Sequence, residues 1–153
     1  TLMNEPRTIL MVDDNEDLLF LMRAAFKMAK CDNPLQEAHN GEEAIAYLKG
    51  KGVYADRHNY PLPTVMLLDL KMPRKNGFDV LTWVRAQPGL KRLTIVIMSA
   101  SMREEDVERA FDLGTNSFLV KPGDLTTLTT MLRCLCDWIQ INQFPSLDKA
   151  GRN

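Results

Sequence analysis

The sequence predicts an α/β fold, a three-layer sandwich of five βα units wound on both faces of a parallel five-stranded sheet of order 2-1-3-4-5. Three observations predict it. Short apolar runs alternate with amphipathic stretches along the chain, as they do where a parallel sheet is covered by helices on both faces. The 153 residues fit one domain, against a usual size of roughly 150 residues per domain. Right-handed crossovers, the default for βα units, make 2-1-3-4-5, the flavodoxin-like order, the leading arrangement.

The elements follow in order. Residues 8–12 read as the first strand, and Leu18, Met22, Ala25, Phe26 and Ala29 recur at helical spacing after it. Either Asp14 or Asn15 is placed to cap that helix. Residues 35–38 form the second strand, and Asn40 followed by Glu43 has the spacing of a capping box that opens the second helix. Residues 65–68 are the third strand, followed by a helix through Phe78, Leu81 and Val84. The fourth strand spans 94–98; Ser101 with Glu104 repeats the capping-box spacing, and Gly114 stands where a helix stops. The fifth strand spans 117–120, and Asp124 is placed to cap a last helix whose Leu125, Leu128, Leu132, Leu135 and Ile139 form an apolar stripe. That stripe is assigned to the core rather than to a dimer seam.

Residues 49–63 make a longer connection than helix-to-strand links usually have and carry Tyr54, His58 and Tyr60. A partner-binding loop and an ordered excursion explain it equally well. Residues 1–7 are expected to be a flexible N-terminal segment before a domain over 8–142, and the tail 143–153, with Pro145, is expected to fray. No internal repeat is visible.

Composition narrows the function. Nineteen Lys and Arg against 20 Asp and Glu leave a net charge of −1, so the chain has no electrostatic footprint for nucleic acid or an anionic membrane. No apolar run approaches the roughly 20 residues that span a bilayer. The three cysteines, Cys31, Cys134 and Cys136, are an odd number with no secretory leader before them, so they are expected to be reduced in a cytoplasmic protein. Neither His39 nor His58 lies near Cys134 and Cys136 in sequence, which disfavours a zinc site.

The chemistry gathers at the strand ends. The first strand ends in Asp13-Asp14 and the third in Asp69, which would bring three carboxylates to one crevice. At 4 Å and an effective dielectric near 20, each ionised pair repels by about 4 kcal/mol, so the cluster should recruit a cation or raise a pKa. Oxygen-only ligands with room left for water favour a hard ion, and Mg²⁺ fits best. Taken singly, Asp14 or Asn15 reads as a helix cap and Asp69 as a turn residue. The fourth strand, however, ends at Ser99-Ala100 and the fifth at Lys121-Pro122, so all four inner strands deliver polar groups to the same rim.

With Met72-Pro73, Gly77 and Phe118 added, these residues resemble the receiver domains of two-component response regulators, over nearly the whole chain from Thr8 to about Asn142. The long 49–63 connection, the segment Ala86-Gln87-Pro88-Gly89-Leu90-Lys91 and the lack of an output domain are similar to the small stand-alone regulators that partner phytochrome-type histidine kinases. The resemblance implies that Asp69 accepts a phosphoryl group from a kinase phosphohistidine without a general base. It implies that Asp14, Asp69 and the main-chain carbonyl of Lys71 hold Mg²⁺, with Asp13 acting through bound water, and that Lys121 contacts a phosphoryl oxygen. It further implies that Ser99 turns toward the phosphate while Phe118 rotates inward, altering a face made by the fourth helix, fifth strand and fifth helix through which a homodimer could form. It also implies a cis Lys121–Pro122 bond.

Three positions depart from the commonest family pattern. Serine at 99 lacks a threonine's methyl, so its rotamer is less restricted and its coupling to Phe118 is expected to be looser. Lys71 places a cation two residues past Asp69, where it is expected to shield an acyl phosphate from water. Gly123 is expected to loosen the start of the last helix. Two rival functions are an aspartate-based, Mg-dependent phosphohydrolase and a phosphorylation-independent interaction module. The first needs a second acid at position 71, which is a lysine; the second leaves the acidic cluster without a role.

Overall fold

A computed structural model describes residues 6–147. Its strands β1 (Ile9–Val12), β2 (Leu35–Ala38), β3 (Val65–Leu68), β4 (Thr94–Ser99) and β5 (Ser117–Val120) form one parallel sheet of order β2-β1-β3-β4-β5, as expected. Helices α1 (Glu16–Met28), α2 (Gly41–Lys49), α3 (Gly77–Ala86), α4 (Glu104–Asp112) and α5 (Leu125–Ile141) alternate with them.

Strand alternation divides the core into two layers. Leu10, Val12, Met66, Leu68, Ile95 and Ile97 face α2, α3 and α4, while Ile9, Met11, Val65, Leu67, Val96 and Met98 face α1 and α5. Both faces of β1 and β3 are buried, which explains why those strands read as continuous apolar runs. Leu128, Leu132, Leu135 and Ile139 are buried against α1, so the α5 stripe is core; Leu125, at the helix start, is exposed.

Asn15 rather than Asp14 caps α1, its side chain accepting the Leu18 N–H at 3.1 Å. Asn40 and Asp124 cap α2 and α5 as expected. The Glu43 carboxylate does not close the box at Asn40 but faces His39 Nδ1 at 3.1 Å and accepts from the Tyr54 hydroxyl at 3.4 Å. A complete capping box occurs instead at Asn76 and Asp79, which open α3. Ser101 does not cap α4: the helix begins later, with Arg103 at the N-cap and no side-chain capping bond, because Ser101 is engaged by Ser99 and Asp106.

The 49–63 connection is ordered and packed on α2. It holds a 3-10 turn over Gly52–Ala55, and Tyr54 packs at a tilt and Tyr60 edge-on against the buried Tyr47, at centroid distances of 5.0 and 6.0 Å. Arg57 folds back to donate to the Tyr47 and Leu48 carbonyls at the end of α2, each at 2.8 Å. They are among the last carbonyls of the helix, beyond the reach of its regular ladder, and that of Tyr47 also accepts the Gly50 N–H at 3.1 Å.

Three expectations need correction. Cys31 and Cys136 form a disulfide, because the turn after α1 and the middle of α5 lie against each other; only Cys134 is free, and it is exposed. No cis peptide bond occurs among the described residues, so Lys121–Pro122 is trans. Trans is favoured by about 0.5–1 kcal/mol, and Lys121 reaches both Ser99 and the acidic cluster from it. The first part of the tail is packed: Phe144 meets Trp138 edge-on, the Arg7 guanidinium lies 5.1 Å from the Phe144 ring centroid, and Leu147 touches the core. Arg7 also donates to the Ile139 carbonyl and, at 2.7 Å, to that of Asn142. Residues 1–5 and 148–153, on which the remaining expectations about the two ends fall, lie outside the described residues.

Candidate functional site

The sheet register sets the site. Val12 pairs with Leu68, Leu68 with Ile97 and Ser99 with Val120, so Asp13, Asp69, Ser99 and Lys121 leave one edge of the sheet side by side. The backbone ladder continues past the strands: Asp13 N–H donates to Ala38 at 3.1 Å, Asp69 N–H to Val12 at 3.0 Å and Lys121 N–H to Ser99 at 2.8 Å. Each side chain therefore starts from a rigid anchor.

Two glycines bring the loop after β3 against the helices. Gly77 N–H donates to the Leu70 carbonyl at 2.8 Å, and a Cβ at 77 would stand 2.3 Å from the Asp69 carbonyl oxygen. A Cβ at Gly41 would stand 2.1 Å from the Lys75 carbonyl. Both obstacles are backbone, so any side chain at either position must displace the segment that carries Asp69.

Asp13 and Asp69 are buried and Asp14 is exposed, yet the three can each offer an oxygen such that all lie within 4.8 Å of one another. Lys121 Nζ lies 2.8 Å from Asp13 and 3.2 Å from Asp69, and Asp13 also accepts the Asn15 N–H at 2.9 Å. Burial raises the Asp69 pKa above the usual carboxylate value, the Asp13 charge adds to the rise, and Lys121 offsets it only in part. Burial pulls the Lys121 pKa down, but its hydrogen bond to Asp13 and the charges of Asp69 and Asp13 outweigh this and leave it raised. Three acids against one lysine leave uncompensated negative charge on oxygen donors, a set that suits a hard divalent cation such as Mg²⁺.

The other expected residues surround this notch. Ser99 is 1% exposed, and its Oγ accepts the Ser101 N–H at 3.1 Å. Phe118 is half-buried and packs against the core on the α2–α4 side. Lys71 is exposed on the loop after β3. Gly41 and the Ser101–Asp106 pair were not singled out from sequence: a glycine in a helix start and a serine five residues before an acid are too common to mark a site.

The chain matches the response regulator receiver domain over residues 9–133. It belongs to that family. The receiver is 32% identical over 144 residues to response regulator Rcp1 of Synechocystis sp., covering 94% of this chain and 96% of that one. Its fold superposes on the phosphorylated cyanobacterial phytochrome response regulator RcpA with a TM-score of 0.85 at 29% identity, over 93% of this receiver and all of that chain. The Mn²⁺-bound form of Rcp1 gives a TM-score of 0.81 at 32% identity, over 92% of this receiver and 100% of its own length. The chain is thus a receiver of two-component signalling, similar to phytochrome response regulators, and its acidic cluster is consistent with a divalent ion. Among the described residues no helix is long and apolar enough to cross a membrane.

Proposed function

We propose that residues 8–142 form a phosphoacceptor module, in which Asp69 takes a phosphoryl group from a phytochrome-type sensor histidine kinase in the cytoplasm. The observation that carries this reading is the meeting of buried Asp69 and Asp13 with half-buried Lys121 at one sheet edge beside exposed Asp14. Similarity to phytochrome regulators supports the choice of kinase class. A cytoplasmic site agrees with the need to meet a kinase phosphohistidine, while the Cys31–Cys136 bond weighs against it, since disulfides are rare there.

Asp14, Asp69 and the Lys71 carbonyl would hold Mg²⁺, and Asp13 would act through bound water. When bound, the ion offsets negative charge on the transferring phosphoryl group. Asp69 supplies the attacking carboxylate oxygen. Lys121, already held in the notch by two carboxylates, would donate a hydrogen bond from its ammonium to a phosphoryl oxygen. Ser99 donates its hydroxyl to another, and Phe118 moves into the space it leaves. The catalysis is confined to the module's own phosphorylation and dephosphorylation.

Purified receiver mixed with autophosphorylated phytochrome-type kinase should take the label within a time in which unrelated kinases keep theirs. Retention of the label by every such kinase would refute the partner assignment. Lys71, exposed two residues beyond Asp69, shields the acyl phosphate from water in this reading. Lys71→Ala should therefore shorten the phosphate lifetime, and a decay rate equal to the parent's in a pulse-chase would remove that role.

The face formed by α4, β5 and α5 carries exposed Phe111, Val120 and Leu125. Phosphorylation is expected to make it a homodimer contact. Sedimentation should quicken when acetyl phosphate and Mg²⁺ are added; an unchanged coefficient would count against the dimer.

A further inference from the structure

We propose that Ser101 and Asp106 form a latch that transmits the position of Ser99 to α4, a coupling that rests on the phosphoacceptor reading above. Ser99 Oγ, at the end of β4, accepts the Ser101 N–H at 3.1 Å. Ser101 Oγ in turn donates to Asp106 Oδ2 at 2.5 Å and accepts the Arg103 N–H at 3.3 Å. An unbroken chain of hydrogen bonds therefore runs from the sheet edge beside Asp69 into the first turn of α4.

The helix at the far end of that chain is weakly held. Of the nine residues of α4 only Ala110 is buried, Phe111 is 49% exposed, and the N-cap Arg103 makes no side-chain capping bond. Besides its contact with β5, it is tethered by Arg109, whose guanidinium lies 4.2 Å from the Phe78 ring centroid on α3. A helix with so few apolar contacts lies at the low-stability end of the fold, and its polar tethers set its orientation.

The latch works through the position of one side chain. If the Ser99 side chain rotates to donate its hydroxyl to a phosphoryl oxygen, its Oγ moves away from the Ser101 N–H, and a part-buried N–H that loses its partner is costly. The turn from 100 to 103 must then rearrange to satisfy it. Ser101 is bonded to Asp106, so the rearrangement pulls on α4. A purely local role for the pair would strengthen the helix start equally in both states; the latch acts on the difference between them.

The test uses the full chain with Mg²⁺, with and without beryllofluoride as a mimic of the acyl phosphate, and follows backbone amide resonances at Asp69 and Ser99 and along α4. In the parent both sets should shift. Asp106→Ala and, independently, Ser101→Ala should keep the response at Asp69 and lose that along α4, whereas Ser101→Thr, which retains the hydroxyl, should restore it. An α4 response in both alanine variants equal to the parent's, with Asp69 still responding, would overturn the latch alone. No response at Asp69 in the parent would overturn the phosphoacceptor reading and the latch with it.

Discussion

Asp69→Asn is expected to take no label from acetyl phosphate or a kinase, and in chelator to melt no lower than the parent. The first effect follows from the loss of the attacking oxygen anion. The second follows from the direction of the Asp69 pKa. Burial first, and then the neighbouring Asp13, raise it above 3.8, against the pull of Lys121. An acid whose folded pKa exceeds its unfolded value binds its proton more tightly when folded. Its ionisation therefore destabilises the fold, in a penalty that grows as pH rises through the window between the two values and is complete above it. At neutral pH without metal, the neutral amide removes that penalty. Mg²⁺ should then raise the melting temperature of the parent by binding only the folded state, and raise that of Asp69→Asn much less. Thermal melts at pH 7 in chelator and in Mg²⁺, run beside a labelling assay, check all three points. Label incorporated by the asparagine variant would refute the assignment of Asp69, and a large drop of its melting temperature in chelator would refute the electrostatic account.

Reduction of the Cys31–Cys136 bond is expected to lower the melting temperature by roughly 5–15 °C, if such a bond contributes about 2–4 kcal/mol in a domain of this size. The two cysteines are 105 residues apart in sequence, so the bond closes most of the chain into one loop and restricts the unfolded state accordingly. In the folded protein it joins the turn after α1 to α5, beside the place where Arg7 holds the carbonyls of Ile139 and Asn142. Cys136→Ser should melt low with or without reductant, whereas the parent should fall to meet it only when reduced. A parent melt indifferent to reductant would show that the bond contributes nothing. In a compartment that keeps thiols reduced this stabilisation is lost.

How much could be read in advance differs from element to element. β1 and β3 were legible because both their faces are buried, which leaves an uninterrupted apolar run, and α5 was legible because its leucines keep a helical period. The acidic notch was legible for a topological reason: in a doubly wound sheet the residues that end neighbouring parallel strands must stand together, so Asp13, Asp69, Ser99 and Lys121 could be grouped across long stretches of chain. The start of α4 was misread, since Ser101 and Glu104 have capping-box spacing. Local spacing cannot reveal that the Ser101 backbone N–H is bonded to Ser99 while its hydroxyl is bonded to Asp106.

The amino-acid order by itself made legible the layers, the leading strand order and which side chains share the sheet edge, because strand and helix periodicity together with the right-handed default of βα connections leave few arrangements open. Only the tertiary structure decided that Cys31 meets Cys136, that Asn15 rather than Asp14 caps α1, that the 49–63 segment folds back on Tyr47, and that Lys121 already bridges Asp13 and Asp69. The disulfide, the folded-back segment and the lysine bridge depend on distances between residues remote in sequence, and the cap on side-chain direction at one position. Those are set by how the layers pack rather than by the pattern of any one segment.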